Sequence, residues 1–146
     1  MSIITAFIMR VSARAIILQN KKVLLIHRFK EGIEYYVIPG GGVEPDETPD
    51  ETVKREIMEE LSLDITINTI IENYTNKDNS VIYYLVTSFK GNVSINGPEK
   101  IKMQEDPTNR YIPEWVNIDN IDLINLVPEF IKGVIHEISS DLTLSD

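Results

Sequence analysis

Glu56, Glu59 and Glu60 stand within five positions of one another in the stretch GGGVEPDETPDETVKREIMEELSL, residues 40–63, which holds six glutamates and two aspartates in 24 residues. At about 100° per residue of helix, Glu60 lies about 40° to one side of Glu56 and Glu59 about 60° to the other. The three carboxylates therefore share an arc of roughly 100°. An acidic segment is most often plain solvated surface, but that role does not call for such crowding. Like charges at i,i+4 cost about 0.2–0.5 kcal/mol per pair, and the helix dipole favours acids only in the first turn. Arg55 and Lys54 offset part of the repulsion. Three converging oxygen donors are what Mg²⁺ or Mn²⁺ requires, with waters completing the shell. The glycines upstream leave room for backbone carbonyls to approach the same cations, since no side chain blocks them.

That chemistry presupposes a helix. Thr48-Pro49-Asp50-Glu51 is its start signal: Thr48 can cap, Pro49 suits the first position, and Glu51 completes a capping box. Val53, Ile57 and Leu61 then fall at i, i+4 and i+8 and form the buried stripe beside the acids. Glu47 stands eight residues before Arg55. The two would be two turns apart on one helix, so Glu47 must lie in the loop and fold back to meet Arg55.

Around this helix, residues 12–18 and 23–28 are β-rich runs joined as a hairpin with Asn20 at its tip. Residues 35–38 form a third short strand, stopped by Pro39 and the glycine run. Residues 65–71 and 81–89 are further strands, with a turn at Lys90-Gly91-Asn92. Residues 97–111 are polar, carry Pro98 and Pro107, and read as a long loop, which in a compact domain is more often functional than decorative. Residues 119–123 form a short helix. From Pro128 onward, Val127, Phe130, Ile131, Val134, Ile135 and Ile138 predict a helix with one apolar face on the sheet. Strands interleaved with and followed by a few helices imply one α/β sandwich domain over residues 1–146.

The bulk properties narrow the function classes. The 146 residues suit one domain, and 42% apolar with 25% charged residues is ordinary for a soluble globular chain. The net charge of −9 argues against a nucleic-acid footprint but not against phosphate ligands, because clustered acids can hold cations that reverse the local charge. With no cysteine, disulfides and thiolate metal sites are excluded, which fits a reducing cytoplasm. The first 18 residues are apolar but broken by Arg10 and Arg14, too interrupted for a membrane span, and read as leading into an early strand. His27 and His136 are too few for a histidine-rich metal site and read as structural or exposed. Trp115 reads as core, and the tyrosines as core or sheet face.

The acidic stretch resembles the Nudix box, G-x5-E-x7-R-E-U-x-E-E-x-G-U with U aliphatic. Gly41, Glu47, Arg55-Glu56-Ile57, Glu59-Glu60 and Leu63 fill eight of its nine defining positions. A chance match is on the order of one in 10⁵ or rarer. The flanking VLLIHR, YYVIPGGG and NRYIPEWVNIDNI are similar to the family's neighbouring segments. One position departs: the final glycine is Ser62, where a left-handed residue follows the helix and serine costs about 1 kcal/mol.

The resemblance implies a Nudix-type α/β/α sandwich with a mixed β-sheet. It implies Mg²⁺-dependent hydrolysis of a nucleoside diphosphate linked to another group, with Mn²⁺ as the substitute ion and water attacking phosphorus. Glu56, Glu59 and Glu60 are then the metal ligands, with the Gly40 carbonyl as a fourth, and Glu47 with Arg55 orients them. The catalytic acids are Glu56 and Glu59 in the box, with Glu99 or Glu105 outside it as base, a role Glu56 itself could also take. Arg28 is a candidate for a substrate phosphate. A homodimer follows from the family rather than from residues. The alternative is an inactive regulator that binds a nucleotide or metabolite on the same fold. Oxidised deoxynucleoside triphosphates, nucleotide sugars, ADP-ribose and dinucleoside polyphosphates all remain open as substrates.

Overall fold

The structure, a computed structural model, describes residues 10–144; the opening of the apolar N-terminal stretch lies outside them. The strands are β1 (Arg10–Gln19), β2 (Lys22–Lys30), β3 (Ile33–Val37), β4 (Gly40–Gly42), β5 (Asp64–Thr66), β6 (Thr69–Asn76), β7 (Asn79–Val86), β8 (Ser88–Lys90) and β9 (Arg110–Asn117). The helices are α1 (Pro49–Leu61), α2 (Gly97–Glu105) and α3 (Ile131–Leu144), with a 3-10 helix at Ile118–Leu123.

The expected hairpin joins β1 to β2. Asn20 and Lys21, at φ 52° and 60°, take the left-handed conformations that a two-residue turn needs to match strand twist. The two strands stay paired only at Leu18↔Val23 and Gln19↔Lys22 and then splay. β1 goes on to pair parallel with β7 and antiparallel with β4, and β7 pairs antiparallel with β6. β2 pairs antiparallel with β3 and β9. One mixed seven-stranded sheet thus has two diverging halves. β1 is buried on both faces. Ala13, Ala15 and Ile17 pack with Val53, Ile57 and Leu61 of α1. Ile16 and Leu18 pack on the other side with Ile121, Ile131 and Ile135. This is an α/β/α sandwich.

Several expected boundaries move, each for a physical reason. The glycine run does not merely stop β3; it is itself a strand, β4, paired at Ser12↔Gly42 to Arg14↔Gly40. Residues 65–71 and 81–89 are each two strands. Asn68 and Thr87 clasp one another where the breaks fall: the Thr87 N–H donates to Asn68 Oδ1 at 2.9 Å and Asn68 Nδ2 to Thr87 Oγ1 at 3.0 Å. Beyond the clasp, β5 and β8 form their own two-stranded ribbon. Residues 97–105 are a helix rather than loop. Pro98 starts it instead of breaking it, and since α2 has no fully buried residue it carries no apolar stripe to read. α3 begins at Ile131 rather than Pro128, leaving Val127 and Phe130 exposed off its buried face. Trp115 is half-buried, stacked on Phe89 at 5.8 Å. His27 sits between the carboxylates of Glu34 and Glu114, and His136 beside Asp122. No helix among the described residues is long and apolar enough to cross a membrane.

Candidate active site and metal centre

α1 starts as its sequence dictates. The Glu51 N–H donates to Thr48 Oγ1 at 3.2 Å and the Thr48 N–H to the Glu51 carboxylate at 2.9 Å, a reciprocal capping box. The Tyr84 hydroxyl donates to Asp50 Oδ1 at 2.7 Å and pins the first turn to β7. With its start fixed and its stripe buried, α1 must turn Glu56, Glu59 and Glu60 to a common side. One carboxylate oxygen from each lies within 4.8 Å of the others.

β4 lets the helix come close. A Cβ at Gly41 would stand 2.4 Å from the Glu56 carboxyl carbon. Burial pushes the Glu56 carboxyl above the usual carboxylate range, opposed by the Arg55 guanidinium and aided by the charges of Glu59 and Glu99. Glu60 Oε2 is buried with no hydrogen-bond partner among the described residues. A buried carboxylate oxygen left unpaired is expensive, and a divalent cation would satisfy it. Hard oxygen donors, two of them half-buried and all crowded by repulsion, fit a hard divalent cation by their chemistry.

Glu47 lies in the loop before α1 and folds back as expected. Arg55 donates to it twice, from Nε to Oε2 at 3.0 Å and from Nη2 to Oε1 at 2.7 Å. Arg55 Nη1 also donates to Glu56 Oε1 at 3.1 Å and to Glu59 Oε2 at 3.2 Å. The buried Thr52 hydroxyl, which the sequence reading passed over, donates to Glu47 Oε1 at 2.6 Å. Together these donors, Arg55 first and Thr52 next, hold the Glu47 carboxyl at a pKa of about 2, against an ordinary 4.5. The same pairing raises the Arg55 guanidinium further.

Where the sheet halves diverge lies a cavity of about 250 Å³, whose wall includes Arg14, Arg28, Gly40, Glu60, Glu99 and Tyr111. The Arg28 guanidinium lies 3.6 Å over the Tyr111 ring and donates to Asn109 Oδ1 at 2.7 Å and to the Arg110 carbonyl at 3.1 Å. Glu99, on α2, has a buried Oε2 with no partner among the described residues. Glu105 is exposed at the far end of α2 and is absent from that wall. Neither histidine lines it. The sequence reading also missed Arg14. Its Nη1 donates to the Ile38 carbonyl at 2.7 Å, and burial lowers its pKa. The signal was there, a lone arginine inside the apolar strand ARAIIL.

A curated 8-oxo-dGTP diphosphatase from Proteus vulgaris is 28% identical over 64 residues, 41% of this chain and 57% of that protein. The match thus spans little more than half of that relative's length. Among solved structures, the E. coli ORF135 protein superposes with a TM-score of 0.68 at 18% identity, covering 93% of this chain and 92% of that one. A MutT NUDIX hydrolase from Burkholderia pseudomallei does so with a TM-score of 0.60 at 24% identity, covering 75% and 84%. These structural likenesses establish the fold. The NUDIX domain matches residues 9–137, and on that match the chain belongs to the NUDIX domain family.

Proposed function

We propose that this protein hydrolyses the pyrophosphate bond of a nucleoside triphosphate or related nucleoside diphosphate derivative with Mg²⁺, within a single domain. The observation that carries the reading is the convergence of Glu56, Glu59 and Glu60 oxygens within 4.8 Å beside a cavity walled by two arginines. Glu56, Glu59 and Glu60, with the Gly40 carbonyl, would hold the metal. Bound Mg²⁺ supplies charge neutralisation on the diphosphate and favours an ionised attacking water. Arg55 keeps Glu47, Glu56 and Glu59 in register through its fixed fork of donors. Glu99 is the better-supported base, since it stands on the cavity wall with one buried, unpaired oxygen among the described residues, while Glu105 stays in solvent. It would take the proton of the water as the new oxygen–phosphorus bond forms and the anhydride oxygen departs. Arg28 and Arg14 would bind anionic oxygens of the substrate.

The cavity also bears on substrate class. At about 250 Å³ it lies just below the usual range for a ligand pocket and suits one nucleoside rather than two. That fits a nucleoside triphosphate of the kind the Proteus vulgaris relative is named for, and equally a nucleotide sugar or ADP-ribose. It disfavours a dinucleoside polyphosphate. The test is release of phosphate or pyrophosphate from a panel that includes 8-oxo-dGTP, normal nucleoside triphosphates, ADP-ribose and nucleotide sugars. Turnover that needs Mg²⁺, stops in EDTA and is lost in Glu59→Gln is expected. An inert panel with Mg²⁺ binding intact would overturn the reading in favour of a binding protein.

A further inference from the structure

α1 ends at Ser62 in a left-handed conformation, φ 61° and ψ 29°, with its N–H donating to the Met58 carbonyl at 3.0 Å. A side chain is strained there where glycine is not. The Ser62 hydroxyl is far from idle. Ser62 Oγ accepts from Asn96 Nδ2 at 2.5 Å and from Ser94 Oγ at 3.1 Å. Beside this, the Ser94 N–H donates to the Leu61 carbonyl at 3.1 Å and the Asn96 N–H to the Glu60 carbonyl at 2.7 Å. Residues 94–96 thereby satisfy carbonyls that the end of α1 would leave open.

α2 begins at the next residue. Gly97 lies against Glu60, where an added Cβ would be 3.2 Å from Glu60 Oε1. Asn96 stands at the N-cap of α2 yet makes no side-chain bond to that helix; its amide is committed to Ser62 and Ser94. Asparagine at an N-cap ordinarily caps its own helix, so this orientation is specific. α2 has no fully buried residue, so its placement leans on its ends: Asn96 at one and, near the other, the Tyr111 N–H donating to Met103 Sδ at 3.1 Å.

We infer that Ser62 is a positioning residue: its hydroxyl ties the start of α2 to the end of α1 and so holds Glu99 against the cavity. This rests on the reading of that cavity as the hydrolytic site. It also gives the departure from the family pattern a use, since the box glycine has no side chain with which to make the tie.

The test compares wild type with Ser62→Gly and Ser62→Asn in turnover, thermal unfolding and amide exchange. Glycine removes the hydroxyl and the left-handed strain together. Tm should stay level or rise by about 2–4 °C, while kcat falls about 3- to 10-fold, the worth of one hydrogen bond, with KM far less affected. Asparagine tolerates the left-handed conformation and offers an acceptor, so it should restore kcat. Amides of residues 97–105 should exchange faster in Ser62→Gly while those of 49–61 do not. In a Glu99→Gln background, Ser62→Gly should lower kcat no further. Wild-type kcat in Ser62→Gly, a joint fall of kcat and Tm, or an undiminished further loss in the Glu99→Gln background overturns the inference. If the wild type turns over nothing, the reading of the site has failed separately. Faster exchange in 97–105 then still supports the tie, and unchanged exchange overturns it.

Discussion

Arg55 grips Glu47 through two parallel hydrogen bonds, at 3.0 and 2.7 Å, across eight residues of sequence. The third nitrogen of the same guanidinium reaches Glu56 and Glu59. One planar cation thus connects the loop before α1 to two of the three clustered acids. Lysine could not do this, because a single ammonium lacks the rigid fork that meets a carboxylate at two points.

Glu47→Gln should therefore weaken metal binding about 10- to 100-fold without removing any proposed ligand, as loss of a supporting partner does. It should also change the acid limb of stability. The Glu47 carboxyl titrates at about 2 rather than an ordinary 4.5. A depressed folded-state pKa means stabilisation that is complete above the unfolded value and is lost as pH falls toward the folded one. The stability gap between wild type and Glu47→Gln should be constant above about pH 5 and close on acidification, between 4.5 and about 2. Urea unfolding across that range checks it, and a gap independent of pH would sink the account.

Glu60→Gln separates metal binding from folding. The buried Oε2 of Glu60 has no partner among the described residues, and Glu56 and Glu59 repel it. Removing that charge should stabilise the metal-free protein by about 0.2–0.5 kcal/mol per relieved pair. It should also weaken Mg²⁺ or Mn²⁺ binding by at least about tenfold through loss of a charged ligand. Thermal unfolding in EDTA should give a higher Tm for the variant, and added Mg²⁺ should raise Tm more in wild type than in the variant. A lower Tm in EDTA would mean that Glu60 supports the fold.

Legibility followed locality. The whole of α1, its cap and its acid arc could be read because capping, periodicity and charge spacing are all encoded within a few turns. The retreat of Glu47 into the loop was forced by the same helical geometry. The sheet was harder. β4 is three glycines, with no side chain to signal a strand, and it exists because β1 offers it backbone partners. The division of the 65–71 and 81–89 runs depends on Asn68 meeting Thr87, nineteen residues away. α2 was invisible because it has no fully buried residue and so no apolar stripe. Arg14 was visible as an oddity, but only the divergence of β1 from β2 places it at a cavity.

Arg14→Met tests whether that oddity is functional. The guanidinium is desolvated and has one hydrogen-bond partner among the described residues, the Ile38 carbonyl. The Glu56 charge acts on it, but no carboxylate hydrogen-bonds it among the described residues, and its burial costs desolvation that an apolar side chain of similar volume avoids. Tm should hold or rise. If Arg14 binds a substrate anion, KM should increase about 10- to 100-fold, the worth of a charge-assisted hydrogen bond. Arg14→Lys should recover part of that loss. An unchanged KM with a lower Tm would assign Arg14 to the fold.

Glu99 and Glu105 stand six residues apart on α2 and face different surroundings, which makes the pair its own control. Glu99 lines the cavity and has one buried oxygen without a partner among the described residues, and Glu105 is exposed. A general base contributes typically 10²- to 10⁴-fold. Glu99→Gln should therefore lower kcat by about that much, leaving KM and Tm near wild type. Removing a solvated charge from the helix end should leave Glu105→Gln within about twofold of wild type. The pH profile distinguishes a base from a mere contact: the acid limb of kcat, which reports the base losing its proton, should vanish in Glu99→Gln and persist in Glu105→Gln. If both variants keep full activity, the proton must go elsewhere. Glu56, whose carboxyl burial already pushes upward, is then the next residue to substitute.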